Sequence, residues 1–346
     1  MAVGSSTRRE FVDVLSCRGS TDAINFVRTR PHCDCCSPCR RLATSIEARE
    51  GWPHRTVRII TPFPAGTGGD VSARMFADRL AQRWRKPVII ENRPGAQGVV
   101  ALGAFVNGRD DHALLYTNGG PLSVAPVTQE KLAYDPRDLE PITLATNAFV
   151  VLTVPTSLKI DSLEQFLAFA HSRPGTLNWG ATPGALEFIV PSFLKSTGVD
   201  MVHVPYREFA PAMNDLAEGR LHAYFSALAS VLPQIQAGKL KALVVTSRQR
   251  ASSAPDVPTV VEAGHSDLLF DAFLGFFGLR DMPIELREHI AAEIRSVGAD
   301  PVLRERMANM GQGVLTSTPS ELASRVEEER AKVAAIAKIL GTNPTR

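Results

Sequence analysis

The stretch that decides the fold reads VRIITPFPAGTGGDVSARMFADRL and spans residues 57–80. Its first residues, Val-Arg-Ile-Ile, predict a short β-strand that ends at Pro62, because β-branched side chains favour strands and proline interrupts them. Residues 63–70 predict a glycine-rich loop, after which apolar side chains recur near helical spacing. The carboxylate of Asp70 suits the start of that helix, where backbone N–H groups are exposed. The stretch therefore predicts a strand, a glycine loop and a helix in succession.

The same succession repeats along the chain. Further strands are predicted at residues 88–91 and 114–117, and they are followed by the loops RPGAQG (93–98) and NGG (118–120). A second set of alternating elements begins with a strand at 149–154. Alternation of this kind is typical of α/β proteins in which helices cover a parallel sheet. We therefore expect two α/β lobes, each a mainly parallel sheet flanked by helices.

Composition and charge restrict the classes of function. Of the 346 residues, 44% are hydrophobic and 21% are charged, which is typical of a soluble globular protein. The formal net charge of +2 is too balanced to indicate a protein that binds nucleic acid. No apolar run approaches the roughly 20 residues that a membrane helix needs. We expect the partners to be small molecules or proteins, with no nucleic acid among them.

The first fifty residues differ from the rest of the chain. Arg8 and Arg9 match the head of a twin-arginine export signal, but no apolar core follows them. All five cysteines lie in this segment, and the cluster from Cys33 to Cys39 lacks the second, spaced ligand pair of a zinc site. We interpret residues 1–51 as a disordered leader that adds no core packing. The leader is either simply atypical or a degraded or frameshifted twin-arginine signal, and a cysteine-free body suits an exported protein.

The glycine loop at 66–69 indicates an anion site and not a nucleotide site. A G-x-G-x-x-G motif would need glycine where Val71 stands, and no P-loop lysine follows. A strand that leads through glycine into a helix start offers free amides and a helix dipole to an anion. A tight turn that merely needs small residues is the alternative interpretation. The loops at 118–120 and 182–185 also follow strands, where the ligands of α/β proteins collect.

Catalytic and metal-binding motifs are missing from the sequence. There is no G-x-S-x-G, no H-E-x-x-H and no cysteine nucleophile in the body, and the histidines are scattered without metal-ligand spacing. The sequence therefore predicts no catalytic residue, no cofactor and no metal.

A series of ordered motifs resembles one known family. The motifs read VIIENRPGA at 88–96, LAYDP at 132–136, VHVPY at 202–206, AGKLKAL at 237–243 and PDVPTV at 255–260. From about residue 52 to the C-terminus the chain resembles the solute-binding proteins of tripartite tricarboxylate transporters, also called the Bug family.

The resemblance implies a two-lobed periplasmic-binding-protein fold of the type II kind, in which the chain crosses twice between the lobes. The lobes would comprise residues 53–147 with 276–346, and residues 148–275. It implies a monomeric periplasmic receptor that is not an enzyme. Such a receptor closes about its hinge on a small carboxylate and delivers it to two membrane components of a carrier.

The resemblance also implies a set of ligand-binding residues in the facing loops. The first lobe would supply Pro64, Ala65, Gly66, Thr67, Gly68, Asp70, Asn118 and Gly119, and the second lobe would supply Ala181, Thr182, Gly184, Tyr206 and Ser226.

Departures from the family pattern bear on the ligand. Arg207, Glu208 and Phe209 stand where Lys-Gly-Gly is common, and the loop at 182–188 is more apolar than usual. Ser226 stands where an aspartate is common, so a partner for a ligand ammonium is missing and a plain carboxylate is expected. Two other functions stay open: a receptor that signals to a membrane sensor protein, and a small-molecule enzyme that uses the same cleft.

Overall fold

The computed structural model describes residues 51–129, 131–206 and 208–341. The leader predicted at 1–51 lies outside these ranges, except for Gly51. Within the described ranges, no helix combines the length and the apolar character needed to cross a membrane.

The described residues form eleven strands and eleven α-helices. The strands are β1 (Val57–Thr61), β2 (Val88–Asn92), β3 (Ala113–Asn118), β4 (Leu139–Ala148), β5 (Val150–Pro155), β6 (Asn178–Ala181), β7 (Val202–His203), β8 (Ala223–Ala227), β9 (Leu240–Val245), β10 (Ala272–Leu279) and β11 (Gln312–Val314). The helices are α1 (Gly68–Trp84), α2 (Val99–Gly108), α3 (Gly120–Ser123), α4 (Ala125–Thr128), α5 (Leu163–His171), α6 (Leu186–Thr197), α7 (Phe209–Ala217), α8 (Leu228–Gln236), α9 (Ile284–Gly298), α10 (Pro301–Asn309) and α11 (Pro319–Leu340).

The strands form two sheets, and each sheet is the centre of one lobe. The first sheet has the order β11-β4-β10-β3-β1-β2 and the second has the order β7-β6-β8-β5-β9. In the first sheet β1, β2, β3 and β4 run one way, and β10 and β11 run the other way. In the described part of the second sheet, β5 alone runs against the other strands. The predicted α/β fold with two sheets flanked by helices is confirmed, and both sheets combine parallel with antiparallel pairs.

Helices cover both faces of the first sheet. Ile59 packs in the same core as Phe76 of α1, whereas its neighbour Ile60 packs with Phe105 of α2 on the opposite face. Successive strand residues point to opposite faces, so a strand that is covered on both sides must be apolar at successive positions. This is why Ile59 and Ile60 are apolar at successive positions of β1.

The chain crosses between the two sheets at two places. Phe149 alone separates the end of β4 from the start of β5. The chain returns at β10, whose first residue, Ala272, pairs with Ala148 of the first sheet. Residues 272–275 therefore pair with the first sheet, and the predicted boundary between 275 and 276 is corrected to a position before Ala272. We propose to divide the lobes at these two crossovers.

The C-terminal helix packs against both lobes. Leu322 and Val326 of α11 are buried in the core of the first lobe, whereas Val333 and Ile336 are buried in the core of the second. The segment that was predicted to belong wholly to the first lobe, 276–346, thus contains a helix that connects the two.

Candidate functional site

The carboxyl ends of the parallel strands of both sheets meet at the first crossover. β4 ends one residue before β5 begins, so these two sheet edges lie next to each other. β1 and β3 run in the direction of β4 and end at its edge. β6 and β8 run against β5 and end where β5 begins. The loops after β1, β3, β6 and β8 are thereby gathered in an interlobe cleft, at the sheet edges where α/β proteins bind their ligands.

Asp70 holds the loop between β1 and α1 in place. The residue is 1% exposed, and Oδ2 accepts hydrogen bonds from the Gly66 N–H (2.8 Å) and from Nε of Arg74 (3.0 Å). Oδ1 accepts from Nδ2 of Asn92 (2.7 Å). Burial alone would raise the pKa of Asp70, but the bonds from Arg74, Asn92 and Gly66 outweigh burial and lower it. Asp70, predicted to contact ligand, has both carboxylate oxygens engaged within the fold.

The same loop leaves the start of α1 without a side-chain cap. Thr67 is the N-cap residue, with extended backbone at φ −75° and ψ 161°, but its side chain does not accept a bond from the first turn. Its hydroxyl donates instead to the carbonyl of Pro64 (2.7 Å). Gly66 has φ +81°, a left-handed conformation that favours glycine. The first N–H groups of α1, from Gly68 onward, therefore have no side-chain cap.

The loop after β3 is packed against the C-terminal helix. Gly119 lies directly against the carboxylate of Glu329, which leaves no room for a Cβ atom at this position. Oγ of Ser123 donates to Oε1 of Glu329 (2.6 Å) and to the carbonyl of Gly119 (2.9 Å). Burial raises the pKa of Glu329. Asn118, at the end of β3, is exposed. Sequence reasoning did not identify Glu329, since α11 is far from the loop in the chain.

In the second lobe, the predicted amide at Gly184 already has a partner. Its N–H donates to Oε2 of Glu187 (3.1 Å), and its φ of +125° suits glycine. The N–H of Thr182 donates to the carbonyl of Phe225 (2.9 Å), which ties the end of β6 to β8. Ala181 is buried at that strand end, and the Thr182 side chain is exposed. The Gly184 N–H is thus engaged by Glu187 within the second lobe.

Tyr206 does not offer a free hydrogen-bond donor to a ligand. Its hydroxyl donates to Oδ2 of Asp215 (2.6 Å), and its ring lies against Gly180. Burial, together with the bond to Asp215, raises the pKa of Tyr206 to about 12. Arg207, the next residue, lies outside the described residues.

A third helix start lies in the cleft. α8 begins directly after β8, and no side chain caps it. A Cβ atom on Gly68 of α1 would lie 3.9 Å from the Cβ of Ala229, in the first turn of α8. The amino ends of α1 and α8 therefore converge from the two lobes. Ser226, two residues before α8, is fully buried, and its Oγ has no hydrogen-bond partner in the described part of the chain.

A separate group of potential metal ligands lies at the opposite edge of the first sheet. Asp110, Asp111 and His112 precede β3, and one ligand atom of each lies within 4.8 Å of the others. Arg55 bonds both carboxylates (2.6 and 2.5 Å), and Arg58 bonds Asp110 (3.2 Å). These carboxylates are paired with guanidinium groups, and they lie at the amino end of β3, away from the cleft.

The chain matches known proteins over most of its length. Residues 72–342 match the model of the TctC family, described as tripartite tricarboxylate transporter family receptor. Protein BugT of Bordetella pertussis is 27% identical over 305 residues, which are 87% of this chain and 93% of BugT.

Two solved structures with bound carboxylates share the fold. Rpa4515 of R. palustris with adipate has a TM-score of 0.76 and 26% identity, and the match covers 85% of this chain and 100% of that one. MatC (Rpa3494) from Rhodopseudomonas palustris with bound malate has a TM-score of 0.70 and 27% identity, with 82% and 99% covered. The predicted fold class and the resemblance are confirmed. The chain belongs to the receptors of the tripartite tricarboxylate transporter family, the TctC solute-binding proteins that are also called the Bug family.

Proposed function

We propose that this protein is a periplasmic receptor that captures a small carboxylate between its lobes. The observation that carries the proposal is the convergence of two uncapped helix starts, one from each lobe, at Gly68 and Ala229. The amino end of a helix carries about half a positive elementary charge, and its free N–H groups point outward. α1 has 17 residues and α8 has 9, so both are full helices with developed dipoles. An anion placed between them is stabilised by both lobes at once.

A carboxylate is the anion that suits two helix starts and that agrees with the ligands of the related structures. Adipate and malate, the ligands of Rpa4515 and MatC, both carry carboxylates. Arg74, the cation beside the first loop, is already paired with Asp70. We therefore propose recognition by backbone N–H groups and hydroxyls, with no guanidinium clamp from Arg74.

We also propose that the cleft catalyses no reaction. The family is one of receptors and not of enzymes. Asp70 and Tyr206, two titratable side chains of the predicted site, are engaged by partners within the fold. Neither group is free to accept a proton from a bound solute or to donate one to it.

The proposed partners are the two membrane components of a tripartite carrier. The name of the matched family describes a receptor for such transporters, and this role requires export to the periplasm. Deleting the gene should abolish uptake of the labelled solute by whole cells and leave its metabolism in lysates unchanged. Unchanged uptake would favour a signalling role.

The ligand-binding proposal predicts a measurable gain in stability. Adipate, malate and other small carboxylates are added to the purified protein, and the midpoint of thermal unfolding is recorded. A carboxylate at a hundredfold excess over its dissociation constant should stabilise the fold by about 2.7 kcal/mol. For a body of this size that is a rise in Tm of roughly 4 °C. Mass spectrometry of the natively purified protein should identify a carboxylate that stays bound. If no carboxylate raises the Tm and none copurifies, the proposal is wrong.

A further inference from the structure

Gln312 lies beside the two helix starts, in a part of the chain that supplies none of the predicted site residues. It is the first residue of β11 and pairs with Ala148, the last residue of β4. A Cβ atom on Gly68 would lie 2.9 Å from Nε2 of Gln312, so the side-chain amide packs against the first residue of α1. The preceding residue, Gly311, packs against Ala229 of α8, where a Cβ would lie 3.0 Å from the backbone nitrogen. The Gln312 amide is therefore at the contact between the lobes.

The Gln312 side chain is buried and incompletely hydrogen-bonded. It is 5% exposed, and Oε1 has no partner within the described ranges. A buried polar atom without a partner destabilises the fold, and native proteins retain few of them. Ser226 Oγ, at the end of β8 in the second lobe, is in the same state. Each lobe thus brings at least one neutral polar group without a partner to the region where α1 and α8 begin.

We infer that Gln312 is a specificity-determining residue of the cleft, and that its side-chain amide hydrogen-bonds a hydroxyl group carried by the bound carboxylate. The inference rests on the proposed function and names its ligand class more closely. An amide offers one accepting and one donating atom, and a hydroxyl both donates and accepts. The match therefore holds in either orientation of the amide, oxygen or nitrogen toward the ligand.

The surroundings favour a hydroxyl over larger or charged groups. Gly68 and Gly311 pack closely on Gln312 and Ala229, so little space is left beside the amide, and a hydroxyl adds a single heavy atom. An ammonium group would need a free carboxylate. The carboxylates of Asp70 and Glu187 already accept bonds from loop N–H groups of their own lobes.

Matched ligand pairs that differ by one hydroxyl test the inference. Binding to the full chain is measured by calorimetry for propionate and lactate, succinate and malate, and glutarate and 2-hydroxyglutarate. In the best-bound pair, the hydroxylated member should bind at least about tenfold more tightly. Gln312→Met keeps the length of the side chain and removes its polar atoms. It should therefore bring the ratio of the affinities for the hydroxylated and the plain member close to one. Affinity for the plain carboxylate should change by less than about threefold, which a merely structural role would not give.

Control variants keep the outcome clear. Gln82→Met, at an exposed position of α1, should preserve the ratio. Gln312→Asn keeps the amide but withdraws it by one methylene, so the ratio of the two affinities should also fall close to one. This variant provides a second test if the methionine variant does not fold. Equal binding of both members by the unaltered protein, or an unchanged ratio in folded Gln312 variants, overturns the role of Gln312 and leaves the receptor function standing. If no member of any pair binds, this inference fails; the proposed function fails with it only if no other carboxylate raises the Tm and none copurifies.

Discussion

Asp70 and Glu329 are carboxyl groups that lie behind the cleft loops, and their surroundings shift their pKa values in opposite directions. Asp70 is buried but receives bonds from Arg74, Asn92 and the Gly66 N–H, which lower its pKa despite burial. Burial raises the pKa of Glu329, and the bond from Ser123 offsets this only in part. The charged form of Asp70 is therefore stabilised by folding, whereas the charged form of Glu329 is destabilised.

Replacing Asp70 should loosen the first loop. We expect Asp70→Asn to lower the free energy of unfolding by about 2 kcal/mol at pH 7, because buried donors lose a charged acceptor. The folded-state pKa is lowered, so this stabilisation is fully present above the ordinary value of about 4 and is lost as the pH falls through the folded pKa. Urea unfolding at pH 7 and pH 3 measures the difference. The exposed Asp78 of the same helix is the control, and an equal effect of Asp78→Asn would contradict this role.

At the scale of elements, α11 connects the lobes and also holds the second crossover. Nη2 of Arg325 donates to the carbonyl of Asp271 (2.9 Å), and Lys332 donates to the carbonyl of Leu269. Glu329 lies between these two residues in the helix and reaches Ser123, in the first lobe. One helix therefore contacts the loop after β3 and the segment that leads into β10.

Glu329→Gln should stabilise the protein more as the pH rises. The glutamine oxygen still accepts the bond from Ser123, but the variant has no carboxyl group to ionise. Since the folded pKa of Glu329 is raised, the wild type is most stable below the ordinary value of about 4.3 and loses stability as the pH rises toward the folded pKa. In chemical unfolding, the free energy of unfolding of the variant relative to that of the wild type should therefore increase between pH 5 and pH 8. Glu328→Gln, at an exposed neighbour, should show no such trend.

The elements of the first glycine loop were predictable from the sequence, whereas the second helix start of the site was not. β1, β2 and β3 agree with prediction to within one residue at each end, since apolar runs and glycine loops mark them. α1 begins at Gly68, so Asp70 lies in its first turn and not before it. α8 was missed because Ala227 precedes it without a capping side chain and Pro233 lies inside it. The missing cap hides the helix from sequence reasoning. The Leu228 N–H donates to the carbonyl of Phe149 (2.6 Å), and the next N–H groups of the first turn have no side-chain cap.

The site residues, too, were only partly predictable from the sequence. The loops at 64–70, 118–119 and 181–184 follow strands, where α/β proteins bind their ligands, whereas the individual site residues and Ser226, which lies within β8, were expected from the family resemblance. Sequence patterns do not show which polar groups are already engaged, so they do not show that Asp70 and Tyr206 bond within the fold. β11 has three residues, too few for a pattern, and Gln312 was missed with it.

At the scale of the whole molecule, the two lobes matter because each contributes half of the proposed anion site. Crossovers at Phe149 and before Ala272 keep the two sheet edges adjacent. The starts of α1 and α8 then meet across the cleft, where Gly68 and Ala229 are in contact range. A ligand that bridges them gains contacts with both lobes only when the lobes are close, which couples binding to hinge closure.

The central claim is that the carboxylate lies at the uncapped start of α1, and a charge placed there tests it most directly. Thr67 has the extended backbone of an N-cap residue, so Thr67→Asp should cap the helix and retain or raise the Tm. Its carboxylate would occupy the first-turn N–H groups and repel an anion. Calorimetry with the carboxylate that raises the wild-type Tm most should show binding at least about tenfold weaker. Thr67→Asn, which provides a cap without charge, should reduce the affinity for the carboxylate less. Wild-type affinity in a folded Thr67→Asp protein would contradict the account.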